Sequence, residues 1–379
     1  MKILELFSGY GTSTFALKNL GIEYQLVGYS DIDEYANKCF QQNHKGKELG
    51  DIKDINPNEL EDFDLLTGGF PCQAFSIAGK RLGELDPRGT LFYEIIRIAE
   101  IKKPRYMLLE NVKGLTSKKH KPTFDKILSE LNRIGYKVHW KILNSKDYNI
   151  PQNRERVWFV CFREQEDYDN FTFPEKEQLK LSVRDLLEDN VDEKYYLKEH
   201  QLKKLMIAIE KKKIQGRRLQ TKEVVSTLQA RDYKDPKIIF ELRGQSDELR
   251  LYDGVNPTIN AAYGMGGGNV PLIMVSSTQQ HNSIITDGIC GTLPSAMGEG
   301  GGHIPMINSI GRFRKLTPKE CFRLQGFTKD EIDLSGISDS RAYKLCGNGQ
   351  SVNVVIRIFK NMFMLAKSEE GKARHSSQA

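Results

Sequence analysis

The chain has 379 residues, 28% charged and 39% hydrophobic, with a formal net charge of +6 at pH 7. That length exceeds what one hydrophobic core usually serves and predicts two lobes, and no uninterrupted apolar run approaches the roughly 20 residues of a membrane span. Six cysteines, at positions 39, 72, 161, 290, 321 and 346, are scattered without zinc-site spacing, which argues against disulfides and against a metal. The N-terminal MKILELFSGYG lacks the long apolar stretch of a secretory signal, so a cytoplasmic chain without membrane association is expected. The mild basic excess suits a polyanionic partner but decides nothing alone.

Up to about residue 165, short β-rich apolar runs alternate with amphipathic ones. KILELF, YQLVGYSD, FDLLTGG, RYMLLEN, KVHWKIL and RVWFVCF read as strands; TFALKNLG, EYANKCFQQNH, LFYEIIRIAEI and PTFDKILSELNRIG read as helices. The alternation implies an α/β doubly wound parallel sheet, in which ligands bind beyond the carboxyl ends of the strands. From about 165 to 310 the text turns to lysine-rich helix (HQLKKLMIAIEKKK) and then to short strands broken by glycine, a second, smaller and irregular β-rich lobe. Within it Thr227-Leu228, Thr258-Ile259 and Thr292-Leu293 mark a weak repeat, which plain strand-and-turn punctuation explains equally well. LTPKECFRLQGF and NVVIRIFKNMFMLA return to helix, and the polar tail KSEEGKARHSSQA is expected to be disordered.

Residues that carry chemistry stand at the strand ends. Phe7-Ser8-Gly9-Tyr10-Gly11 closes the first strand and opens a helix, where glycines let a ligand approach and a helix N-terminus can hold an anion, although a tight turn reads the same. Asp31, with Asp33 beside it, follows the second strand, where a bound ribose needs an acceptor. Asp51 could take an adenine amino hydrogen or simply cap a helix. Gly68-Gly69-Phe70-Pro71-Cys72-Gln73 puts a cysteine on a proline-stiffened loop beyond a buried strand, a better position for a nucleophile than for a core residue. Glu110, at the end of the apolar run Tyr106 to Leu109, is costly to bury and hard to explain as structure. In Gln152-Asn153-Arg154-Glu155-Arg156, alternation puts both arginines on one side, facing Glu110, a phosphate or a base carbonyl, or forming a surface cluster.

Taken in order, these motifs resemble those of the DNA cytosine-5 methyltransferases, of bacterial or phage type. Phe70-Pro71-Cys72-Gln73 is similar to the nucleophile motif, Glu110-Asn111-Val112 to the catalytic glutamate motif, and Gln152 to Arg156 to the Gln-x-Arg-x-Arg motif. Arg314 to Cys321, running on to Phe327, resembles the penultimate motif, and Gly347-Asn348 the last. Thr12, Asp31 and Gly349-Gln350-Ser351 depart from it, standing where a second glycine, a longer Glu and small or apolar residues are usual. The resemblance implies a Rossmann-like methyltransferase domain over residues 1–175, continued by 330–366, a target recognition domain with its connecting motif over 176–329, and a tail over 367–379.

It further implies S-adenosylmethionine as cofactor, with S-adenosylhomocysteine as product. The cofactor is expected at Phe7, Ser8, Gly9, Gly11, Asp31, Asp51, Ile52, Gly69 and Asn348. Cys72, Glu110, Arg154, Arg156, Pro71 and Asn111 form the expected catalytic set: Cys72 attacks C6 of a cytosine flipped from double-stranded DNA, protonated Glu110 donates at N3, Arg156 holds O2, and Arg154 steadies Glu110 or a phosphate. No metal is required. The loop SIAGKRLGELDPRG is expected to close over the DNA or to be a plain exposed loop, and Arg231-Asp232-Tyr233 to approach base edges. Lys118, Lys119 and Lys121 read as a solvated face. A monomer is expected, with a cognate restriction endonuclease sharing its site but not physically bound, or none. The alternatives are an RNA cytosine-5 methyltransferase, a catalytically idle DNA-binding regulator on the same fold, and a nicotinamide-dependent dehydrogenase, which leaves the Pro-Cys-Gln loop without a role.

Overall fold

A computed structural model describes residues 1–71, 90–196, 274–277, 282–285, 290–291, 306–309 and 312–363. Cys72 and the loop after it, the lysine-rich HQLKK segment, the repeat threonines, Arg231-Asp232-Tyr233 and the tail lie outside the described residues.

The first lobe is a six-stranded sheet built from β1 (Lys2–Leu6), β2 (Gln25–Ser30), β3 (Leu65–Gly69), β4 (Tyr106–Val112), β5 (Lys137–Asn144) and β7 (Glu155–Phe162), in the order β2-β1-β3-β4-β7-β5. Between β5 and β7 lies the short β6 (Gln152–Asn153). The first four strands are mutually parallel, as the alternation predicts. β7 departs from that pattern, running antiparallel between β4 and β5. The reason is the connection: residues 145–154 are fewer than the dozen or so that a parallel crossover needs, so the chain can only turn back.

Period-2 alternation divides the strands between two cores. Leu4, Leu6, Met107, Leu109, Val157 and Phe159 pack against Phe92, Ile95 and Ile96 of α3 (Thr90–Lys102) and against Ile127 and Leu131 of α4 (Lys121–Arg133). Ile3, Leu108, Trp158 and Val160 face the other way, onto Ala16 and Leu17 of α1 (Thr12–Asn19) and Val355, Ile358 and Phe359 of the helix at 352–363, here α8. The sheet of the first lobe is therefore completed by the C-terminal end of the chain. A buried carboxylate interrupts this face. Glu5, inside β1, accepts from Ser13 N, Thr14 N and Thr14 Oγ1 at the start of α1, supplying the cap that Gly11 lacks.

A third cluster draws on residues from both sides of the expected domain boundaries. Tyr10, Phe15 and two residues of α2 (Glu34–Asn43), Ala36 and Cys39, share one core with Val183, Leu186, Leu316, Phe322 and Phe327. Residues of the 181–187 and 316–327 segments thus pack with the first lobe. Thr317-Pro318-Lys319-Glu320 forms a capping box at the start of α6 (Pro318–Arg323), as its Thr-x-x-Glu spacing dictates. The Glu320 carboxylate also takes a two-pronged ion pair from buried Arg314, with both N–O distances at 2.7 Å. α5 (Gln165–Asn170) and α7 (Asp339–Asn348) complete the helices labelled here. Of the second lobe, β8 (Met274–Ser277), β9 (Asn282–Ile285), β11 (Met306–Ser309) and β12 (Arg312–Lys315) form an antiparallel sheet ordered β12-β11-β8-β9, while β10 (Cys290–Gly291) pairs with β6. No helix among the described residues is long and apolar enough to cross a membrane.

Candidate active site

The turn after β1 adopts left-handed backbone at Phe7 (φ 51°), Gly9 (φ 55°) and Gly11 (φ 85°). For Phe7 this is strained, the kind of conformation that persists where surroundings enforce it. A side chain at Gly9 would meet nothing within 4 Å, so its Cα is open to a ligand. Gly11 also serves packing, because a Cβ there would lie 2.4 Å from His44 Nε2 and 2.9 Å from Phe40. The Ser8 hydroxyl is buried without a hydrogen-bond partner among the described residues. Gly9 N donates to Asp31 Oδ2 at 2.9 Å and Asp33 N to Asp31 Oδ1 at 3.0 Å, fixing the carboxylate at the end of β2. Burial raises the Asp31 pKa above the usual carboxylate range, and these backbone donors oppose the rise.

Asp31, Ile32, Gly50 and Asp51 line a cavity of about 530 Å³. Asp51 caps the turn at Ile52–Asp54 by accepting from Lys53 N, and it also lines this cavity. The Ile52 side chain is buried in the core, which leaves only its backbone for a ligand. Ile32, 80% exposed, is the residue that sequence reasoning missed. Its signal is an apolar side chain directly after the acidic residue of a strand end, where it offers a flat ring an apolar face. A nucleoside fits this set: acidic acceptors, an apolar face and glycine-opened backbone. A larger cavity, about 620 Å³, lies among Glu188, Tyr195, Phe322 and Asp339 and shares no residue with this set.

At the neighbouring strand ends, Gly69 of β3 pairs with Glu110 of β4, and Val112 with Arg156 of β7. The Asn111 side chain donates to the Phe70 carbonyl at 3.0 Å and accepts from Val112 N at 2.8 Å, clamping the start of the Pro71-Cys72 loop to β4. Arg156 Nε stands 3.0 Å from Glu110 Oε1. The angle is poor, however, and that buried oxygen keeps no well-directed hydrogen bond among the described residues. Burial and the Arg154 charge act against the Arg156 cation and Glu110 supports it; the guanidinium stays charged at neutral pH.

Arg154 is held by the turn that follows Asn348. It is 3% exposed, and its Nη2 donates to the carbonyls of Gly349 at 2.6 Å and Gly347 at 3.3 Å. It is therefore inside the molecule and not on a phosphate-facing surface, although the Glu110 charge still acts on it. Gly349 must be small, because a Cβ there would fall 2.0 Å from Tyr10 Cε1. Asn348 ends α7, exposed beside that turn. Lys118 and Lys119 are exposed as expected, and Lys121 pairs with Asp125.

A nucleoside-type loop beside a carboxyl-guanidinium pair, on a Rossmann-like sheet with one reversed strand, defines a methyltransferase of the α/β class. The chain belongs to the C-5 cytosine-specific DNA methylase family, whose model matches residues 1–364, and it is a DNA cytosine-5 methyltransferase. It is similar to the orphan methyltransferase M.SPBetaI of Bacillus phage SPbeta, 31% identical with 98% of this chain and 99% of the relative covered. It is also similar to the type II methyltransferase M.HhaI of Haemophilus parahaemolyticus, 34% identical with 96% and 94% covered. Among solved structures, the S. pombe Dnmt2 methyltransferase matches with a TM-score of 0.60 over 96% of this chain and 98% of that one, at 19% identity. The Entamoeba histolytica methyltransferase EhMeth gives 0.58 over 96% and 98%, at 17% identity. At those identities the solved structures show the fold.

Proposed function

We propose that the chain methylates C5 of a cytosine turned out of a specific duplex DNA sequence, through a transient bond between Cys72 Sγ and C6. S-adenosylmethionine, when bound, supplies an electrophilic methyl group and leaves as S-adenosylhomocysteine. Phe7, Ser8, Gly9, Asp31, Ile32, Asp51, Gly69 and Asn348 would hold it, with Gly11 and Ile52 contributing backbone. Asp31 would accept from the ribose hydroxyls and Asp51 from the adenine amino group.

Cytosine C5 becomes nucleophilic once the Cys72 thiolate adds to C6. Glu110 in its protonated form donates at N3 as electron density shifts there, and Arg156 binds the O2 edge. After C5 is methylated, its proton passes to solvent, the N3 proton returns to Glu110, and the C5–C6 double bond reforms as the thiolate departs. Pro71 stiffens the loop and Asn111 anchors it. The observation that carries this reading is the Glu110–Arg156 pair standing beside the strand end that leads into Phe70-Pro71-Cys72. Arg154, packed against the last turn, holds the frame.

The enzyme would act as a monomer in the cytoplasm, in a restriction-modification context without a bound endonuclease. Residues 215–310 would choose the sequence, so exchanging that segment with another family member moves the methylated site; an unmoved site rejects the assignment. The test of the whole reading is bisulfite sequencing of DNA from cells expressing the wild type beside Cys72→Ala. Protected cytosines in one sequence context, lost in the variant, are expected. Unprotected cytosine throughout the wild-type sample rejects the reading.

A further inference from the structure

After Gly347-Asn348 the chain departs from the small or apolar residues of the motif it resembles, and Gln350 carries the departure into the site. Its backbone is fixed from two sides. Tyr10 Oη donates to the Gln350 carbonyl at 2.5 Å, and Arg154 holds the preceding carbonyl of Gly349 at 2.6 Å. From that anchor the side chain reaches the end of β3. A methyl-sized group on Gly69 Cα would lie 3.1 Å from Gln350 Nε2 and 3.2 Å from Glu110 Oε2. An amide donor and a carboxyl oxygen thus converge on one point above Gly69, directly before Phe70 and Pro71.

The Glu110 carboxyl has Arg156 on its Oε1 side, at 3.0 Å but poorly aligned. A carboxyl held from one side can rotate, and catalytic geometry tolerates little rotation. The amide of Gln350 stands on the Oε2 side. No hydrogen bond joins the two among the described residues; the terminal torsion of glutamine is soft, and both groups approach the same point above Gly69.

We infer that Gln350 is a positioning residue for methyl transfer: its side-chain amide donates to Glu110 Oε2 and, with Arg156 on Oε1, fixes the carboxyl that faces the base. This rests on the function proposed above. The position asks for a donor as well as a shape, so a side chain of equal length without one leaves Glu110 free to turn, and a carboxylate there accepts the Glu110 proton that is needed at N3.

The experiment compares wild type, Gln350→Met and Gln350→Glu on whole-genome-amplified bacterial DNA, which carries no methyl groups. Single-turnover transfer from tritiated S-adenosylmethionine, the cofactor dissociation constant and the unfolding temperature are measured for each. Gln350→Met is expected to slow transfer about tenfold, the worth of one buried hydrogen bond. Gln350→Glu should slow it further, with cofactor affinity and unfolding temperature unchanged in both. Equal rates for wild type and Gln350→Met overturn the inference, as does a loss confined to cofactor affinity or to stability. A wild type that transfers no methyl group overturns the proposed function, and this inference with it.

Discussion

Arg154 donates through Nη2 to the carbonyl of Gly349, 2.6 Å away in space and 195 residues later in the chain. That contact joins the strand bearing Arg156 to the turn that closes the molecule, which itself packs on Tyr10 of the first loop. Arg154→Met keeps much of the volume and leaves the carbonyls of Gly347 and Gly349 without this donor. Urea unfolding is expected to show a loss of about 2 kcal/mol, within the range for a buried hydrogen bond to a charged group. An unchanged midpoint would mean that the two carbonyls find other partners.

Glu110→Gln preserves shape and removes the acid. Transfer in a single turnover should fall by about 10²–10⁴-fold, the usual worth of a positioned general acid, while cofactor affinity stays as in wild type. A variant within a few-fold of wild type would move the proton-donating role elsewhere.

The two glycines of the first loop separate packing from binding. Gly11→Ala meets His44 Nε2 at 2.4 Å in a left-handed backbone, so it should lower the unfolding temperature of the protein without cofactor. Gly9→Ala meets nothing and carries only the left-handed penalty, about 1–2 kcal/mol. It should instead weaken cofactor binding. Calorimetric titration beside a melting curve distinguishes them, and the reverse pattern would invert the roles given to the two positions.

Much of this was legible in sequence because its cause is local. The apolar run Tyr106 to Leu109 ends in Glu110, which the folded chain places at a strand end. Asp31 follows the second strand for the same reason. What escaped depends on distance or direction. RVWFVCF alternates identically whichever way it runs, so the reversal of β7 shows only in the short connection before it. Arg154 could not be separated from Arg156, because its carbonyl partners belong to a turn in a remote part of the chain. The packing of Val183 and Leu186 with Phe15 has no periodic signature across the intervening sequence. Ile32 is an ordinary residue whose position alone gives it interest, and Gln350 showed in sequence only as a departure from its motif, without a partner.

Two buried groups act on stability with opposite sign. Burial pushes Glu5 up from 4.5 to about 7, so the folded state holds its proton more tightly; that stability is full below about 4.5 and lost as pH rises through 7. His44 is pushed down from 6.5 to about 4 by burial, so its contribution is full above 6.5 and lost as pH falls through 4. Between 4.5 and 6.5 the two nearly cancel. His44→Phe should uncover the Glu5 slope, with stability falling by roughly 3 kcal/mol as pH rises from 4.5 to 7. A flat profile for this variant would remove Glu5 from the account.

Covalent capture tests the central claim, that Cys72 forms the bond to the base. Duplex DNA carrying 5-fluorocytosine in place of cytosine, incubated with the protein and S-adenosylmethionine, cannot release a C5 proton and so retains the bond. A complex stable to denaturation is expected, with the nucleotide mapped by peptide mass spectrometry to Cys72 and no complex from Cys72→Ala. An adduct on another residue, or an equal yield from Cys72→Ala, would contradict the account.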